Sequence, residues 1–536
     1  MSPSPMLSVA DLIVSQLREA GTGFLFGVPG GGSNLDLIEA GRRAGLPFVL
    51  TSMETAGAIA ALAQAEILGR PGACLTTLGP GVSSAVSGIA CALLERAPLL
   101  VFADSQPEPA EGVFEHQRLD HEALLAPVTK WSAVLGDART EDTLRQAIES
   151  AMRHPRGPVG IQLSVGGSRP SVGHGRRSLK RERVPGGVKA EGQLWRLVTA
   201  ARRPLLIVGL GAARAPDAAA IRALCASHGV PAMVTYKAKG VVPDDDPHFA
   251  GVFTNAAIER PIVDRADLLI GIGLDPVELI PRPWKYRAPV VNCGPWAVDA
   301  GHVPFAAHLV ADVPAAMQRI GERLPSATWD LDDLQQRVTA QRERLCPHTG
   351  RLAAHRVVQV TAAVAGARTR VTVDAGAHMF PATMLWPVAE PNGMLISNGL
   401  STMGFALPAA IGAALLNRHE PVIALTGDGG LLMCAGELLT AVRERLRVVV
   451  IVFNDAALSL IDVKQRQRGY EPAGVALGHV SWSRIAEGFG AAPHVVDSEA
   501  DLERALARAL HHQGPSLIDA RIDAGSYAET LRAIRG

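Results

Sequence analysis

The chain has 536 residues, of which 48% are hydrophobic and 19% are charged, with 52 basic and 52 acidic side chains. This length exceeds what one hydrophobic core can organise and predicts about three domains. The balanced charge offers no basic surface for nucleic acid or anionic lipid, and no apolar run reaches the roughly 18 residues of a membrane span. Neither a nucleic-acid partner nor a membrane partner is expected.

The N-terminal segment and the cysteines indicate a compartment. The segment MSPSPMLSVADL has no basic stretch followed by an apolar core, so a secretory signal is not expected. The six cysteines are scattered without a CxxC pair, which is typical of buried thiols in a reducing environment. We therefore expect a cytoplasmic protein.

The first part of the chain, 1–168, alternates helical and strand patterns and predicts a parallel sheet with helices on both faces. The predicted helices are 9–20, 56–68 and 140–153, and the predicted strands are 24–27, 48–52, 74–77, 99–103 and 159–163. The segment 166–187 is rich in Gly, Arg and Ser without apolar periodicity. It is interpreted as a linker whose basic residues are solvated.

A second α/β region spans 188–328. Its predicted strands are an opening one within 204–213, then 266–271 and 289–293, and a shorter one at Leu309. The turn Gly209-Leu210-Gly211 lacks the third glycine of the dinucleotide fingerprint, and no acidic residue ends the next strand. It is therefore interpreted as a structural turn.

The third region, 350–536, follows a charged helix predicted at 331–344. Its central stretch predicts a strand at 422–425, a tight turn at Gly427-Asp428-Gly429-Gly430, a helix at 431–445 and a strand at 448–453, with a closing strand at 516–523. A crossover of this kind returns the chain parallel to its start. Asp428 and Asn454 are therefore expected at the carboxyl ends of strands in one sheet, where open α/β sheets bind ligands.

The residue types at that edge suit a metal and a diphosphate. Gly429 and Gly430 allow close approach of the backbone at the start of a helix, where N–H groups favour an anion. Asp428 and Asn454 offer hard oxygen ligands, which suit Mg²⁺ or Ca²⁺ better than zinc. The alternative is a solvated Asp-Gly turn together with an Asn in an ordinary loop.

A GDG motif followed, after a helix and a strand, by Asn resembles the cofactor signature of the thiamine diphosphate (ThDP) enzymes. The resemblance implies that Asp428, Asn454 and the main-chain carbonyl of Ala456 hold Mg²⁺, which in turn holds the diphosphate beside the 427–430 turn. It also implies three α/β domains, each a doubly wound parallel sheet: a pyrimidine-binding domain, a middle domain and a diphosphate-binding domain.

Glu54 is the candidate catalytic residue. It follows the strand FVLTS, precedes the helix expected near Ala56, and is followed by GRPGACLTTLGPGVSS, 69–84, as in the family. The resemblance implies a carboxyl hydrogen-bonded to N1′ of the cofactor pyrimidine, which favours the tautomer that deprotonates C2. Taken alone, Glu54 is also a good first-turn helix residue. The family usually has His before this Glu, whereas this chain has Met53.

Further cofactor contacts are implied on either side of the central stretch. In SNGLSTMGFALPAAIGA, 397–413, Met403 occupies the position of the apolar wedge that folds the cofactor, and the Ser401 carbonyl would accept from the N4′ amino group. Ala377 and His378 occupy positions where relatives contact the diphosphate. Met403 and His378 are alternatively core residues.

Two segments narrow the resemblance to catabolic, FAD-independent acetolactate synthases. HQRLD, 116–120, followed by APVTKW resembles their HQxxD…PVTK segment, in which Gln117 would face the substrate. GLDPVELIPRPW, 273–284, resembles their middle-domain GYDPVEY…W and replaces the segment with which biosynthetic relatives hold FAD. FAD is therefore not expected.

The substrate-side residues depart from the family. In VPGGGSNLD, 28–36, Gly30 and Gly31 lie in the pocket loop and Gly32 replaces a Lys. Asn454 is followed by DAALSLID, with Leu458 in the pocket, where relatives carry Gly-Tyr or Thr-Tyr. Because polar and aromatic groups are missing, the pocket is expected to accept a 2-oxo acid larger or more apolar than pyruvate.

The resemblance implies decarboxylation of a 2-oxo acid, followed by addition of the resulting enamine to a second carbonyl compound. Because the cofactor joins the first and last domains across a subunit interface in the family, a homodimer or homotetramer is expected. Two alternatives stay open. One is a decarboxylase that only protonates the enamine and releases an aldehyde, although no His is placed to donate the proton. The other is a catalytically silent binding subunit with the ThDP fold.

Overall fold

The computed structural model describes residues 8–105, 115–135, 139–164, 191–298 and 301–536. The predicted linker at 166–187, with the domain bounds at 168 and 188, lies outside these ranges. Three six-stranded sheets organise the described chain, and neighbouring strands in each pair in parallel. The predicted α/β fold with three parallel-sheet domains is confirmed.

The first sheet has the strand order β2-β1-β3-β4-β6-β5. Its strands are β1 Leu25–Val28, β2 Phe48–Leu50, β3 Gly72–Thr76, β4 Leu99–Ser105, β5 Trp131–Leu135 and β6 Pro158–Ser164. Its helices are α1 Val9–Glu19, α2 Ser33–Ala44, α3 Glu54–Leu68, α4 Pro80–Leu94, α5 His121–Leu125 and α6 Thr140–Met152. β2 is an edge strand, so the turn after it has a sheet neighbour on one side only.

The second sheet has the order β12-β11-β10-β7-β8-β9. Its strands are β7 Pro204–Val208, β8 Ala232–Val234, β9 Phe249–Val252, β10 Leu268–Ile272, β11 Val290–Gly294 and β12 Phe305–Val310. Its helices are α7 Glu191–Ala200, α8 Ala215–His228, α9 Arg260–Val263, α10 Val313–Gly321 and α11 Leu331–Glu343, with 3₁₀ turns at Leu210–Ala212 and Pro276–Glu278. β7 and β10 are buried along their whole length, as expected for a sheet covered on both faces.

The third sheet has the order β14-β13-β15-β16-β18-β17. Its strands are β13 Val371–Val373, β14 Met394–Ile396, β15 Val422–Gly427, β16 Val448–Asn454, β17 Ala492–Val496 and β18 Ser516–Arg521. The helices of this part of the chain are α12 Ala354–Ala365, α13 Met379–Leu385, α14 Ala406–Leu416, α15 Asp428–Leu432, α16 Glu437–Arg443, α17 Ser459–Gln467, α18 Trp482–Phe489, α19 Glu499–His511 and α20 Ser526–Arg535.

The chain divides into two compact units. The first contains the first sheet together with Leu407–His419 and Cys434–Leu446, and the second contains the second and third sheets. Small residues allow the helices of the first unit to pack closely. A Cβ on Gly88 of α4 would lie 2.7 Å from the Ala58 Cβ of α3. Gln64 of α3 donates to the Gly412 carbonyl of α14 at 3.0 Å, which joins a segment from the last third of the chain to this unit.

Three predicted elements were wrong in detail. The turn at 427–430 is the start of α15, because the chain leaves β15 and enters the helix directly at Asp428. The single helix at 431–445 is two helices, α15 and α16, interrupted before Gly436, where a Cβ would lie 3.1 Å from that of Ser52. The strand at Leu309 has six residues and is not shorter than β11, which has five.

The structure also addresses the expectations about membrane-spanning helices and about the cysteines. No helix in the described part of the chain combines the length and hydropathy needed to cross a bilayer. None of the six cysteines forms a disulfide; four of them are buried, and Cys346 and Cys434 are partly exposed. Burial raises the pKa of Cys74, Cys225 and Cys293 to about 12, so these three are unreactive at neutral pH.

Candidate functional site

Asp428 is a buried carboxylate at the carboxyl end of β15. It is 4% exposed, and burial raises its pKa, an effect that the N–H of Gly429 and other nearby main-chain N–H groups reduce. Its Oδ1 accepts the Gly429 N–H at 2.8 Å, whereas its buried Oδ2 has no hydrogen-bond partner in the described chain. Because an unsatisfied buried oxygen is destabilising, this atom is a candidate ligand for a cation.

Asn454 ends β16, the strand paired with β15, so it shares the sheet edge with Asp428. Its Nδ2 donates to Asp519 Oδ1 of β18 at 2.7 Å. Its Oδ1 accepts only a long bond, 3.3 Å, from the Ala456 N–H. The bond to Asp519 therefore orients the Asn454 amide so that its nitrogen faces β18 and its oxygen faces Ala456.

Ala456 has a left-handed backbone, with φ of 57°, which is uncommon for a residue with a Cβ and occurs where surrounding structure imposes it. Its carbonyl accepts the Leu477 N–H at 2.9 Å. A carbonyl oxygen has two lone pairs, so one is left for a further ligand. The predicted metal ligation by Ala456 would therefore use a carbonyl that is already fixed in place.

Negative charge accumulates at this edge. Asp455 has a pKa raised to about 6, mainly by burial and further by the charge of Asp428. Its carboxylate is held by the Ser459 hydroxyl at 2.5 Å and the Ala457 N–H at 3.2 Å. Among the described residues no group of three or more His, Cys, Asp or Glu could hold a metal, so a cation here would need amide and main-chain oxygens. The unpartnered Asp428 oxygen and the neighbouring amide and carbonyl oxygens fit Mg²⁺.

The glycines of the GDGG motif are required by close contacts. A Cβ on Gly429 would lie 2.6 Å from Leu458 Cδ2 and 3.5 Å from Met403 Cε. A Cβ on Gly430 would lie 2.3 Å from Asp374 Oδ2. The second unit thus brings together Gly429, Met403 and Leu458, which the sequence assigned separately to cofactor and substrate, and they form an apolar surface beside α15.

Asp374 was missed by the sequence analysis, although it begins the segment that contains Ala377 and His378. Its buried carboxylate accepts the N–H groups of Gly404 and Phe405 at 3.0 and 3.1 Å and the Thr426 hydroxyl at 2.8 Å. Burial raises its pKa to about 6. Asp374 therefore ties the loop that carries Ser401 and Met403 to the end of β15. Ser401, with φ of 54°, is the strained residue of that loop.

His378 is 3% exposed and stacks on Phe453, with ring centroids 5.1 Å apart. Burial lowers its pKa to about 4, so the imidazole is neutral at pH 7, and its Nε2 has no hydrogen-bond partner in the described chain. A Cβ on Gly427 would lie 3.3 Å from this ring. Ala377 is also buried and can offer only main-chain groups to a ligand.

In the first unit, Glu54 is the first residue of α3, so the helix begins two residues before the predicted start near Ala56. Its side chain is partly exposed, and no group in the described chain donates a hydrogen bond to its carboxylate. A Cβ on Gly81 would lie 3.3 Å from Glu54 Oε1. The Glu54 carboxylate therefore lies against the first turn of α4.

The predicted substrate residues of the first unit surround the same turn, residues 77–81. A Cβ on Gly30 would lie 2.2 Å from Thr77 Oγ1, and a Cβ on Gly79 would lie 2.3 Å from the Gln117 carbonyl oxygen. Gln117 has a left-handed backbone, with φ of 56°. A Cβ on Gly31 would meet no described atom within 4 Å. The first unit thus gathers Gly30, Gln117 and Glu54 around one turn.

The Gly209-Leu210-Gly211 turn of the second sheet is closed by an acidic side chain. Glu278 Oε2 accepts the Leu210 N–H at 2.8 Å, and its Oε1 accepts the Thr235 hydroxyl at 2.5 Å. Burial raises the Glu278 pKa to about 8. The Glu278 carbonyl accepts from Asn398 Nδ2 at 2.9 Å, close in sequence to Ser401 and Met403. This agrees with the interpretation of a structural turn.

Comparison with known families matches three parts of the chain. The family described as "Thiamine pyrophosphate enzyme, N-terminal TPP binding domain" matches residues 7–124, the central domain of the same enzymes matches 192–320, and their C-terminal TPP binding domain matches 374–520. Together these matches cover most of the chain and include Glu54, Asp428 and Asn454.

Curated relatives align over nearly the whole chain. An acetolactate synthase of Bacillus subtilis (strain 168) is 28% identical over 96% of this chain and 93% of its own length. A catabolic acetolactate synthase of Raoultella terrigena is 28% identical over 96% of this chain and 95% of its own length. A probable 2-ketoarginine decarboxylase, AruI, of Pseudomonas aeruginosa is 28% identical over 97% of this chain and 95% of its own length.

Proposed function

This chain belongs to the thiamine pyrophosphate enzymes, and from that premise we propose that it decarboxylates a 2-oxo acid and joins the remaining acyl unit to a second carbonyl compound. Its class is that of acetolactate synthase-like, ThDP-dependent 2-oxo acid decarboxylases and carboligases. The proposal adds Mg²⁺ as the metal, carboligation as the second step, and a cytoplasmic location.

The observation that carries the metal proposal is the buried Asp428 oxygen without a partner in the described chain. Asp428, the Asn454 amide oxygen and the Ala456 carbonyl would hold Mg²⁺, and the metal would hold the diphosphate. Gly427, Gly429 and Gly430, with Ala377 and His378, would surround that diphosphate. The neutral His378 would offer a ring nitrogen without adding charge.

When bound, ThDP would supply a nucleophilic C2 and a thiazolium ring able to accept the electron pair left behind when carbon dioxide departs. Glu54 would hold a proton at N1′ of the pyrimidine, since its carboxylate has no competing donor in the described chain. Met403 would support the folded cofactor from the apolar side, and the Ser401 carbonyl would accept from N4′.

The second unit of one copy is proposed to work with the first unit of another. Large apolar side chains are exposed beside the assigned residues of each unit: Met53 is 49% exposed next to Glu54, and Leu432 and Met433 are 45% and 56% exposed after Asp428. Such exposure supports a homodimer or homotetramer in which a subunit interface covers these side chains.

Mixed dimers test this arrangement directly. Copies carrying Glu54→Gln and copies carrying Asp428→Asn, coexpressed with two affinity tags and purified through both, should regain up to about half of the wild-type turnover, because one of the two sites would then be intact. If each site formed within one copy, the mixed dimers would be as inactive as either variant alone. Each variant purified alone is the control.

The donor substrate is proposed to be a 2-oxo acid larger or more apolar than pyruvate. Gly30 and Gly31 contribute no side chain, and the apolar Leu458 packs against Gly429. The name of one relative refers to 2-ketoarginine, which is a larger acid than pyruvate.

A second candidate is decarboxylation without ligation, which the 28% identity to a probable decarboxylase supports equally. Product analysis separates the candidates. The protein is incubated with ThDP, Mg²⁺ and a panel of 2-oxo acids, with and without an aldehyde acceptor, and products are identified by mass spectrometry. An acyloin or acetohydroxy acid supports carboligation, an aldehyde alone supports the second candidate, and no product with any acid would contradict both.

A further inference from the structure

Glu437 makes two hydrogen bonds to the main chain immediately before Glu54. Its Oε1 accepts the N–H groups of Ser52 and Met53 at 2.9 and 3.1 Å. Its Oε2 accepts the Thr440 hydroxyl at 2.8 Å. The side chain is 1% exposed, and burial raises its pKa while these donors act against that rise. Glu437 starts α16 and belongs, with α3, to the first unit.

The rest of α16 extends the same contact along the end of β2. The Ser52 hydroxyl donates to the Gly436 carbonyl at 2.8 Å, and Arg443 donates to the Leu50 carbonyl. Glycine at position 436 permits this close approach, since a Cβ there would lie 3.1 Å from the Cβ of Ser52. β2 is an edge strand. Side chains of α16 therefore form hydrogen bonds to the main chain of residues 50–53, on the side of β2 where the described sheet has no further strand.

From this geometry we propose that Glu437 is a positioning residue for Glu54, an inference that rests on the proposed function. Met53, the residue before α3, gives this helix no side-chain cap, and Glu437 binds its N–H instead. Glu437 therefore fixes the backbone at the point where α3 begins. Because Glu54 is the next residue, its carboxylate is held against Gly81 while its own oxygens make no hydrogen bond within the described chain. A general acid or base acts only from a fixed distance.

A positioning role for Glu437 can be distinguished experimentally from a role in fold stability alone. A residue that only stabilises the fold changes the unfolding midpoint and leaves the chemistry of the folded protein unchanged. A residue that positions Glu54 slows activation of the cofactor in the folded protein. The rate of hydrogen–deuterium exchange at C2 of bound ThDP, read by proton NMR after acid quench, reports that activation without any 2-oxo acid.

The test uses three variants of the full-length protein with ThDP and Mg²⁺. Glu437→Ala should slow C2 exchange and kcat together by about 10- to 100-fold, with KM and the Kd for ThDP changed less than about threefold. Glu437→Gln should stay within about threefold of wild type, because its amide oxygen still accepts both N–H groups. Thr440→Val, which frees the carboxylate to rotate, should give an intermediate rate.

Amide hydrogen exchange of the protein without cofactor is the second readout. Peptides covering residues 50–54 should lose protection in Glu437→Ala and keep it in Glu437→Gln. Glu259 provides the matched control, since it is also buried and accepts the N–H groups of Thr254 and Ala256 at 3.2 and 2.5 Å. Glu259→Ala should lower the unfolding midpoint and leave C2 exchange at the wild-type rate.

Wild-type C2 exchange in folded Glu437→Ala would overturn the inference. If that variant does not fold, Thr440→Val decides: slowed exchange supports the inference and an unchanged rate overturns it. Failure of the proposed function has a different signature, because wild-type protein would then not accelerate C2 exchange at all.

Discussion

Glu54 and Asp428 occupy the same kind of position at the start of a helix, but their environments are opposite. Each carboxylate is the first residue of a helix that follows a parallel strand, after three residues for Glu54 and immediately for Asp428. Asp428 is buried with an oxygen that no group in the described chain satisfies, whereas Glu54 is partly exposed and its turn is held by Glu437. In the first unit, Glu437 accepts the main-chain N–H groups that precede Glu54. In the second unit, one oxygen of Asp428 itself has no hydrogen-bond donor in the described chain.

This difference teaches what each position can do. A buried carboxylate with an unsatisfied oxygen is stabilised by a cation, so it suits metal binding. A carboxylate that is accessible and free of other donors can share a proton with a ligand nitrogen. The two positions are thus suited to different chemical tasks, and substitutions at each should fail in different ways.

The largest effect is expected from Glu54→Gln. The amide keeps the size of the side chain but cannot exchange the proton at N1′, so turnover should fall by about 10² to 10⁴. ThDP binding, measured by calorimetry in the presence of Mg²⁺, should remain within about threefold of wild type. Unchanged turnover would remove Glu54 from the mechanism and with it the contrast between the two carboxylates.

Asp428→Asn should fail at binding rather than at turnover. Loss of one charged metal ligand should weaken Mg²⁺-dependent ThDP binding by about 100-fold. Replacing an unsatisfied buried carboxylate by an amide should also raise the unfolding midpoint of the cofactor-free protein. Asp455→Asn, at a neighbouring carboxylate that is not a predicted ligand, is the control and should weaken binding much less. Equal losses in the two variants would argue against Asp428 as a specific ligand.

His378 should make the second unit sensitive to acid. Its pKa is about 4 when folded, against an ordinary value of 6.5, so the unfolded chain binds the proton first. Its contribution to stability is therefore complete above pH 6.5, is lost progressively as pH falls below that value, and is gone once pH reaches 4. Between pH 7.5 and pH 5 wild type should lose about 2 kcal/mol more free energy of unfolding than His378→Asn, as measured in urea. Parallel pH profiles would contradict the neutral buried imidazole.

Gly81→Ala should give the smallest effect. The new Cβ would lie 3.3 Å from Glu54 Oε1 and 2.9 Å from Thr77 Cγ2, so the Glu54 carboxylate must shift by a few tenths of an ångström. We expect kcat to fall about tenfold with ThDP affinity unchanged. Gly192→Ala, where a Cβ meets no described atom within 4 Å, is the control. A wild-type kcat in Gly81→Ala would show that Glu54 is not held at this turn.

The fold class and the main residues of the candidate site could be predicted because their signals are local. Apolar strand patterns, the GDG motif and Asn454 lie within short stretches, and the parallel crossover places their ends at one edge. Asp374 and Glu437 carry no such signal. The partners of Glu437, Ser52 and Met53, are 385 and 384 residues away in sequence, and Asp374 bonds residues 30 to 52 positions later.

The break between α15 and α16 escaped prediction for the same reason. Apolar residues continue at helical spacing through 431–445, so periodicity alone predicts one helix. The interruption occurs beside Gly436, whose close contact is with Ser52, two residues after the end of β2. Tertiary contact overrides local propensity there.

The hydrogen bond between the Glu278 carboxylate and the Leu210 N–H has a consequence for engineering the second sheet. A nucleotide phosphate entering the turn at Leu210 would have to displace the Glu278 carboxylate, which already accepts the Leu210 N–H and the Thr235 hydroxyl. Grafting a dinucleotide site into this sheet would therefore require removal of Glu278 first. The bond from Asn398 would survive such a substitution, because it is made to the main-chain carbonyl of residue 278, so the loop that carries Met403 would keep this anchor.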